Sequence, residues 1–175
     1  MPLLAPTVVF RRASAITPQY LQSRGIRALV LDVDNTLTAH DSQHLPADIA
    51  AWLEAMKAAG MQMMIVSNNN AARVAPFAAR LGLPFCSMAC KPFFPGLARA
   101  RRAFGAQKRE MALVGDQIYT DVLAANLYGI PMLTVLPMYA DSKAGIRFKR
   151  RLEAPIFARF YRRGGTIVEP PATPR

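Results

Sequence analysis

Short runs of consecutive apolar residues alternate along this chain with stretches whose apolar residues recur at helical spacing. The first run, Ala28 to Leu31, lies in a strand from about Ile26 to Val33; Met61 to Val66, Met111 to Val114 and Ile130 to Leu136 are the others, and each reads as a strand buried on both faces. Leu83-Pro84-Phe85-Cys86-Ser87 reads as a short edge strand. Between the runs lie helices punctuated by Pro and Gly. Thr17-Pro18 opens a short helix to about Arg24 that Gly25 stops; Pro46 opens one to Ala59, with Ile49, Trp52, Leu53 and Met56 on one face and Gly60 closing it. Asn70 caps a helix over Ala71 to Leu81, where Pro76 predicts a kink or a broken first half. Pro95 starts a helix ending near Phe104-Gly105, and another runs to Tyr128 with Gly129 as its stop. Asp141 to Arg163 is charged and helical from about Ala144, with a stripe of Ile146, Leu152, Ile156, Phe157 and Phe160 that Pro155 interrupts. Residues 1–16 carry no clear period and read as an N-terminal extension, residues 17–164 as one domain, and residues 165–175 as a loose Pro-rich tail. The alternation of strand and helix predicts an α/β fold: a Rossmann-like, doubly wound parallel sheet with helices on both faces.

Composition changes this picture in one respect. The chain is 52% hydrophobic and 19% charged, which excludes disorder, and no run approaches the ~18 apolar residues of a membrane span. Arg11 and Arg12 follow the first apolar run, the reverse of a secretory signal. The acid-poor segment before Asp32 bears a faint likeness to an organelle transit peptide. Cys86 and Cys90 form no metal-binding pair and read as buried free thiols, which fits a cytoplasmic location with the membrane surface as a peripheral alternative. The charge stands out. Lys and Arg outnumber Asp and Glu by 22 to 11, a net +11. Such a field attracts phosphate-bearing partners, whether nucleic acid, anionic lipid or small molecules, without choosing among them.

The candidate chemistry sits where the strands end. Asp32-Val33-Asp34-Asn35-Thr36 follows the first run, Ser67-Asn68 the second, Lys91 the edge strand, and Gly115-Asp116 through Asp121 the next run. In a parallel sheet these ends open on one side, where α/β folds bind ligands. Carboxylates gathered there repel unless a cation sits among them, and oxygen-only ligands suit a hard ion such as Mg²⁺. No His or Cys lies at these positions, which argues against zinc. A lysine and a hydroxyl facing a metal-loaded acid cluster are what phosphoryl oxygens need. Plainer roles exist for several of these residues. Ser67 caps a turn, Lys91 is a surface lysine, Asp121 is structural, Asn69 and Asn70 serve turn and cap, and His40 and His44 lie in a solvated loop.

In order and setting, Asp32-x-Asp34-x-Thr36, Ser67, Lys91 and Gly115-Asp116 through Asp121 resemble the four motifs of the haloacid dehalogenase (HAD) superfamily of phosphatases. The Asp-Asn-Thr-Leu form of the first motif and the Gly-Asp-Gln-x-x-Thr-Asp form of the fourth are similar to its YqeG-type branch, in subfamily IIIA. That branch includes phosphatidylglycerophosphate phosphatases of mitochondria. The resemblance covers roughly Thr17 to Gly164, with local departures at Val33 and Thr38. It implies an Mg²⁺-dependent phosphomonoesterase working through an aspartyl-phosphate. Asp32 would be the nucleophile and Asp34 the acid/base, while Lys91 would neutralise charge. Thr36, Ser67, Asn68 (through its amide) and Lys91 would hold the phosphoryl oxygens. Asp32, the main-chain carbonyl of Asp34, and Asp116 would hold the metal, with Asp121 ligating through water or orienting Lys91. The gaps between motifs hold only short elements, so the fold is expected to be capless and the site open to large substrates. A phosphatidylglycerophosphate-like phospholipid at an anionic membrane surface is the favoured substrate. The alternatives are a phosphatase of nucleic-acid ends or soluble phosphometabolites, and a basic RNA- or membrane-binding protein on the same scaffold. Intact acids at Asp32 and Asp34 argue against the last.

Overall fold

A computed structural model describes residues 3–140 and 144–171. Its strands are β1 (Val9–Phe10), β2 (Ala28–Leu31), β3 (Gln62–Val66), β4 (Phe85–Cys86), β5 (Met111–Gly115), β6 (Met132–Val135) and β7 (Ile167–Val168). Its helices are α1 (Pro18–Gln22), α2 (Ala47–Ala58), α3 (Ala71–Leu81), α4 (Pro95–Phe104), α5 (Leu123–Tyr128) and α6 (Ala144–Arg162). The strands form one sheet in the order β4-β3-β2-β5-β6-β1-β7, and every pairing is parallel.

The apolar runs form the centre of that sheet because both of their faces are covered. Leu29 and Leu31 of β2 pack with Ile49, Trp52 and Leu53 of α2 and Phe77 of α3. Ala28 and Val30, pointing the other way, pack with Leu97 and Ala100 of α4, Ala125 of α5 and Val122 just before it. Trp52 anchors the buried face of α2, and its indole N–H donates to the Ile16 carbonyl at 2.8 Å. The predicted caps form: Thr17 Oγ1 accepts from the Tyr20 N–H at 3.1 Å, and Asn70 Oδ1 from the Arg73 N–H at 3.0 Å.

From β2 the chain steps to β3 and β4 on one side, then returns to β5 and β6 on the other. The reversal falls at the carboxyl end of β2, the switch point where such folds open a crevice. Asp32 is the next residue. Between it and Lys91 the described residues hold only a loop, α2, β3, α3 and β4, so the fold is capless as expected.

Four expectations need correction. Residues 1–16 contribute β1, whose Val9 and Phe10 are fully buried between β6 and β7. The tail is ordered at Ile167–Val168, which pair with β1; residues 172–175 lie outside the described residues, as do Asp141 to Lys143 at the head of the charged segment. Of the kink or broken first half expected at Pro76, the break does not occur: α3 runs through Pro76, where burial of Val74, Phe77, Ala78 and Leu81 offsets one lost backbone hydrogen bond. Cys86 is buried, but Cys90 is exposed, in a loop rather than a strand.

Candidate active site

The backbone of Asp32 continues the sheet, its N–H donating to the Val114 carbonyl at 2.9 Å. Its carboxylate meets Lys91, whose Nζ lies 2.6 Å from Asp32 Oδ1 and 2.6 Å from Asp121 Oδ1. The loop after β4 carries Lys91, which a cis peptide bond joins to Pro92. Asn68, just past β3, clamps this loop: Lys91 N–H donates to Asn68 Oδ1 at 2.7 Å, and Asn68 Nδ2 donates to the Lys91 carbonyl at 2.8 Å. Asp116 follows β5, and Asp121 sits in the π-helical turn Ile118–Val122 ahead of α5. Gly115 allows Asp121 to fold back, since a Cβ there would stand 2.5 Å from the Asp121 Cγ. Asp32, Asp116 and Asp121 are all buried, each with a carboxylate oxygen within 4.8 Å of the others.

Buried carboxylates at this spacing carry an electrostatic cost. Burial pushes the Asp32 carboxyl up to about 7; Lys91 opposes the shift, and Asp121 and Asp34 add to it. Burial likewise raises Asp116 well above the carboxylate range, with Arg150 opposing and Asp32 and Asp121 reinforcing. At Lys91, burial disfavours the ammonium, but Asp121 and Asp32 together outweigh it and raise its value. Around these groups three acids, Asp32, Asp116 and Asp121, meet two cations, Lys91 and Arg150. An all-oxygen donor set with surplus negative charge fits a hard divalent cation. The carboxylate of Asp34 stands outside this cluster, so only its main-chain carbonyl remains a candidate there.

Asp34 has separate surroundings. Its Oδ1 accepts from Arg73 Nη2 at 2.8 Å and from the Asp41 N–H at 3.0 Å, and its Oδ2 accepts from Asn69 Nδ2. Thr36 is fully buried and its Oγ1 faces Asp116 Oδ1 at 3.5 Å. Ser67 Oγ is buried and accepts from the Asn69 N–H at 3.2 Å, the turn-closing bond expected of its plainer role; the hydroxyl proton is left for another acceptor. Thr38 Oγ1 bonds to the His44 carbonyl. His40 Nε2 approaches Asp41 at 3.9 Å and His44 is exposed, so neither imidazole joins the acids.

Sequence reasoning missed three residues here. Arg73, in the first turn of α3, reads from the sequence as a surface cation, yet its side chain is only 11% exposed. Arg150 of α6 bonds through its guanidinium to the Asp116 carboxylate and, at 2.9 Å, to the Asp116 carbonyl. Glu153 is buried; it accepts from the Ile118 N–H at 2.7 Å and from Arg150 at 2.9 Å, which fixes α6 to the turn carrying Asp121. The available signal was Glu153 itself, the one acid in a helix crowded with Lys and Arg.

The site can be set beside known proteins. Residues 2–80 match the family described as mitochondrial PGP phosphatase, and residues 89–137 match the family described as HAD-hydrolase-like. The probable phosphatase YqeG of Bacillus subtilis is 36% identical over 149 residues, covering 85% of this chain and 87% of that protein. The chloroplastic phosphatidylglycerophosphate phosphatase 1 of Chlamydomonas reinhardtii is 30% identical over 87% of this chain, but the chain spans only 59% of that enzyme's length. The crystal structure of a 4-nitrophenylphosphatase from Thermotoga maritima has the same fold, with a TM-score of 0.51 at 15% identity over 68% of this chain and 89% of that one.

Proposed function

Because the chain belongs to the YqeG-like branch of the haloacid dehalogenase phosphatases, we propose that it is a divalent-cation-dependent phosphomonoesterase with Asp32 as its nucleophile. One observation carries the reading: Asp32 stands at the switch point of the sheet, 2.6 Å from a buried ammonium and within 4.8 Å of two further buried carboxylates. In the first step an Asp32 oxygen attacks phosphorus and the bond to the ester oxygen breaks. Asp34 protonates the leaving oxygen. In the second step Asp34 takes a proton from water, the water oxygen attacks phosphorus, and phosphate and the Asp32 carboxylate are released.

Lys91 keeps Asp32 oriented and offsets charge on the transferring group. Ser67, Thr36 and the main-chain amide of Asn68 meet the phosphoryl oxygens, while the Asn68 side chain holds Lys91 in place. Asp32, Asp116 and the Asp34 carbonyl would hold Mg²⁺, and Asp121 serves chiefly to orient Lys91. The bound ion supplies positive charge that offsets the acids and polarises the phosphoryl group.

The favoured substrate is a phosphatidylglycerophosphate-like phospholipid. What supports it is the relatives' named activity, the capless site and the net charge of +11. No helix among the described residues is long and apolar enough to cross a membrane, so a lipid would be met at a surface. The test is phosphate release from an aryl phosphate and from a panel of phospholipid, nucleotide and sugar phosphates, with Mg²⁺ and with EDTA. Loss of activity in EDTA and in Asp32→Asn, with phospholipid turned over best, is the expected result. An unchanged Asp32→Asn rate would remove Asp32 as nucleophile, and efficient turnover of a soluble ester alone would remove the lipid.

A further inference from the structure

Helix α6 contains six Lys or Arg residues and a single acid, Glu153, which is turned inward and buried. Its inward row, Ile146, Arg150, Glu153, Phe157 and Phe160, is partly or fully buried. A second row begins exposed and apolar, with Phe148 61% and Leu152 46% accessible. It continues at helical spacing into Pro155, Ile156 and Arg159, which form one wall of an open groove of about 1000 Å³. Leu3, Leu4, Pro6 and Tyr119 also line it, and Arg159 and Arg163 provide the basic lining. That volume lies at the upper end of ligand-pocket sizes, roughly 300–1,000 Å³. Exposed Arg147, Lys149 and Arg151 flank the apolar row.

We infer that α6 is an interfacial helix that docks the enzyme on an anionic lipid bilayer, with Phe148 and Leu152 entering the headgroup region and the groove receiving a lipid acyl chain. The inference rests on the phospholipid reading given above and adds where the surface lies. Basic residues interleaved with apolar ones along one face are what an anionic interface selects, because charge draws the helix down and apolar area holds it there. A polyanion without an apolar layer would leave the groove and the Phe148–Leu152 row unused. The helix also touches the acids through Arg150, and the Tyr119 hydroxyl donates to the Leu152 carbonyl at 3.3 Å, so docking would bring the bilayer beside the site.

The experiment is co-sedimentation of the full chain with vesicles of phosphatidylcholine alone or mixed with phosphatidylglycerol, at low and high salt. The wild-type chain should bind the mixed vesicles at least tenfold more tightly, and salt should weaken that binding. Phe148→Ser with Leu152→Ser, and separately Arg159→Gln with Arg163→Gln, should each cost about tenfold or more, while aryl phosphate turnover reports that both variants are folded. Equal binding to both vesicles by the wild-type chain overturns the inference without any variant. So does full binding by the Phe148/Leu152 variant, or displacement from mixed vesicles by a lower concentration of single-stranded RNA. Detergent-dispersed phosphatidylglycerophosphate separates the two claims. Its hydrolysis without vesicle binding overturns the docking surface alone; vesicle binding without hydrolysis in either form overturns the substrate assignment alone.

Discussion

Replacing Lys91 with Met removes the one ammonium in a buried group of three carboxylates while keeping a flexible side chain of similar length. The Lys91 side chain is 2% exposed, and its two partners, Asp32 and Asp121, are 10% and 1% exposed, so water cannot take over its role. Removing one member of a buried ion pair costs about 3–5 kcal/mol, because the remaining charge is left uncompensated. Lys91 serves two carboxylates, which places the expected loss in metal-free buffer near pH 7.5 at the upper end of that range. Loss of Lys91 also removes what holds the Asp32 carboxyl down, so Asp32 takes up a proton more readily in the variant and relieves part of this cost. Adding Asp121→Asn to Lys91→Met removes one stranded charge, so the double variant should be more stable than the sum of the two single losses by about 1–3 kcal/mol. The assay is urea unfolding followed by circular dichroism in EDTA, with midpoints compared at constant slope. Millimolar Mg²⁺ should recover more stability in Lys91→Met than in the wild-type chain. A loss below ~0.5 kcal/mol, or strict additivity in the cycle, would refute the claim that Lys91 neutralises these acids.

Three further expectations concern neighbouring residues. Asp32 retains its proton in the folded chain up to about pH 7 and releases it near 3.8 when unfolded, so stability without metal should fall as pH rises through that window, by at most about 1.4 kcal/mol per unit. Asp32→Asn should flatten that slope in urea titrations, and an equal slope in variant and wild type counts against the shift. Gly115→Ala would place a Cβ 2.5 Å from the Asp121 Cγ and push Asp121 off Lys91; it should cost about 1–3 kcal/mol and lower kcat, whereas Gly145→Ala, with open space around it, should do neither. Arg73→Met removes the 2.8 Å contact to Asp34; if that contact sets the position of the acid/base, kcat should fall by about 10²-fold with KM nearly unchanged, and a kcat within twofold of wild type would exclude the role.

Strands β2 to β6 and their helices were legible because each apolar run ends at a residue that stops it. Gly60, Gly105 and Gly129 close helices, and Pro95 opens one, within two residues of where the structure places those ends. The site acids were legible for a related reason: Asp32 and Asp116 directly follow buried runs, where a charge is costly without a partner. Strands β1 and β7 were not. Val9–Phe10 and Ile167–Val168 are two residues each, too short to show a period, and they become strands only by pairing with each other and with β6. Arg73 and Arg150 were hidden for another reason. An arginine on a helix says nothing about where that helix docks, and their carboxylate partners lie 39 and 34 residues away in sequence.

The two acids that end β2 are one residue apart, yet the fold gives them unlike neighbours. Asp32 still lies in the sheet, and its carboxylate faces Lys91, which reaches it from the loop after β4. Past it the chain leaves the sheet: Asn35 takes φ of 58° and Asp34 bridges to Thr38. This bend carries the second carboxylate to the start of α3, where Arg73, Asn69 and the Asp41 N–H receive it. A strand continued by two more residues would have kept both acids on one face, competing for the same cation and the same lysine. Asn35 tolerates the left-handed conformation at little cost, as Asn does more readily than branched residues. The division of labour proposed for Asp32 and Asp34 therefore depends on that turn as much as on the acids. A β-branched residue such as Val at position 35 should draw Asp34 back toward the acid cluster and lower kcat even though every acid and Lys91 is still present.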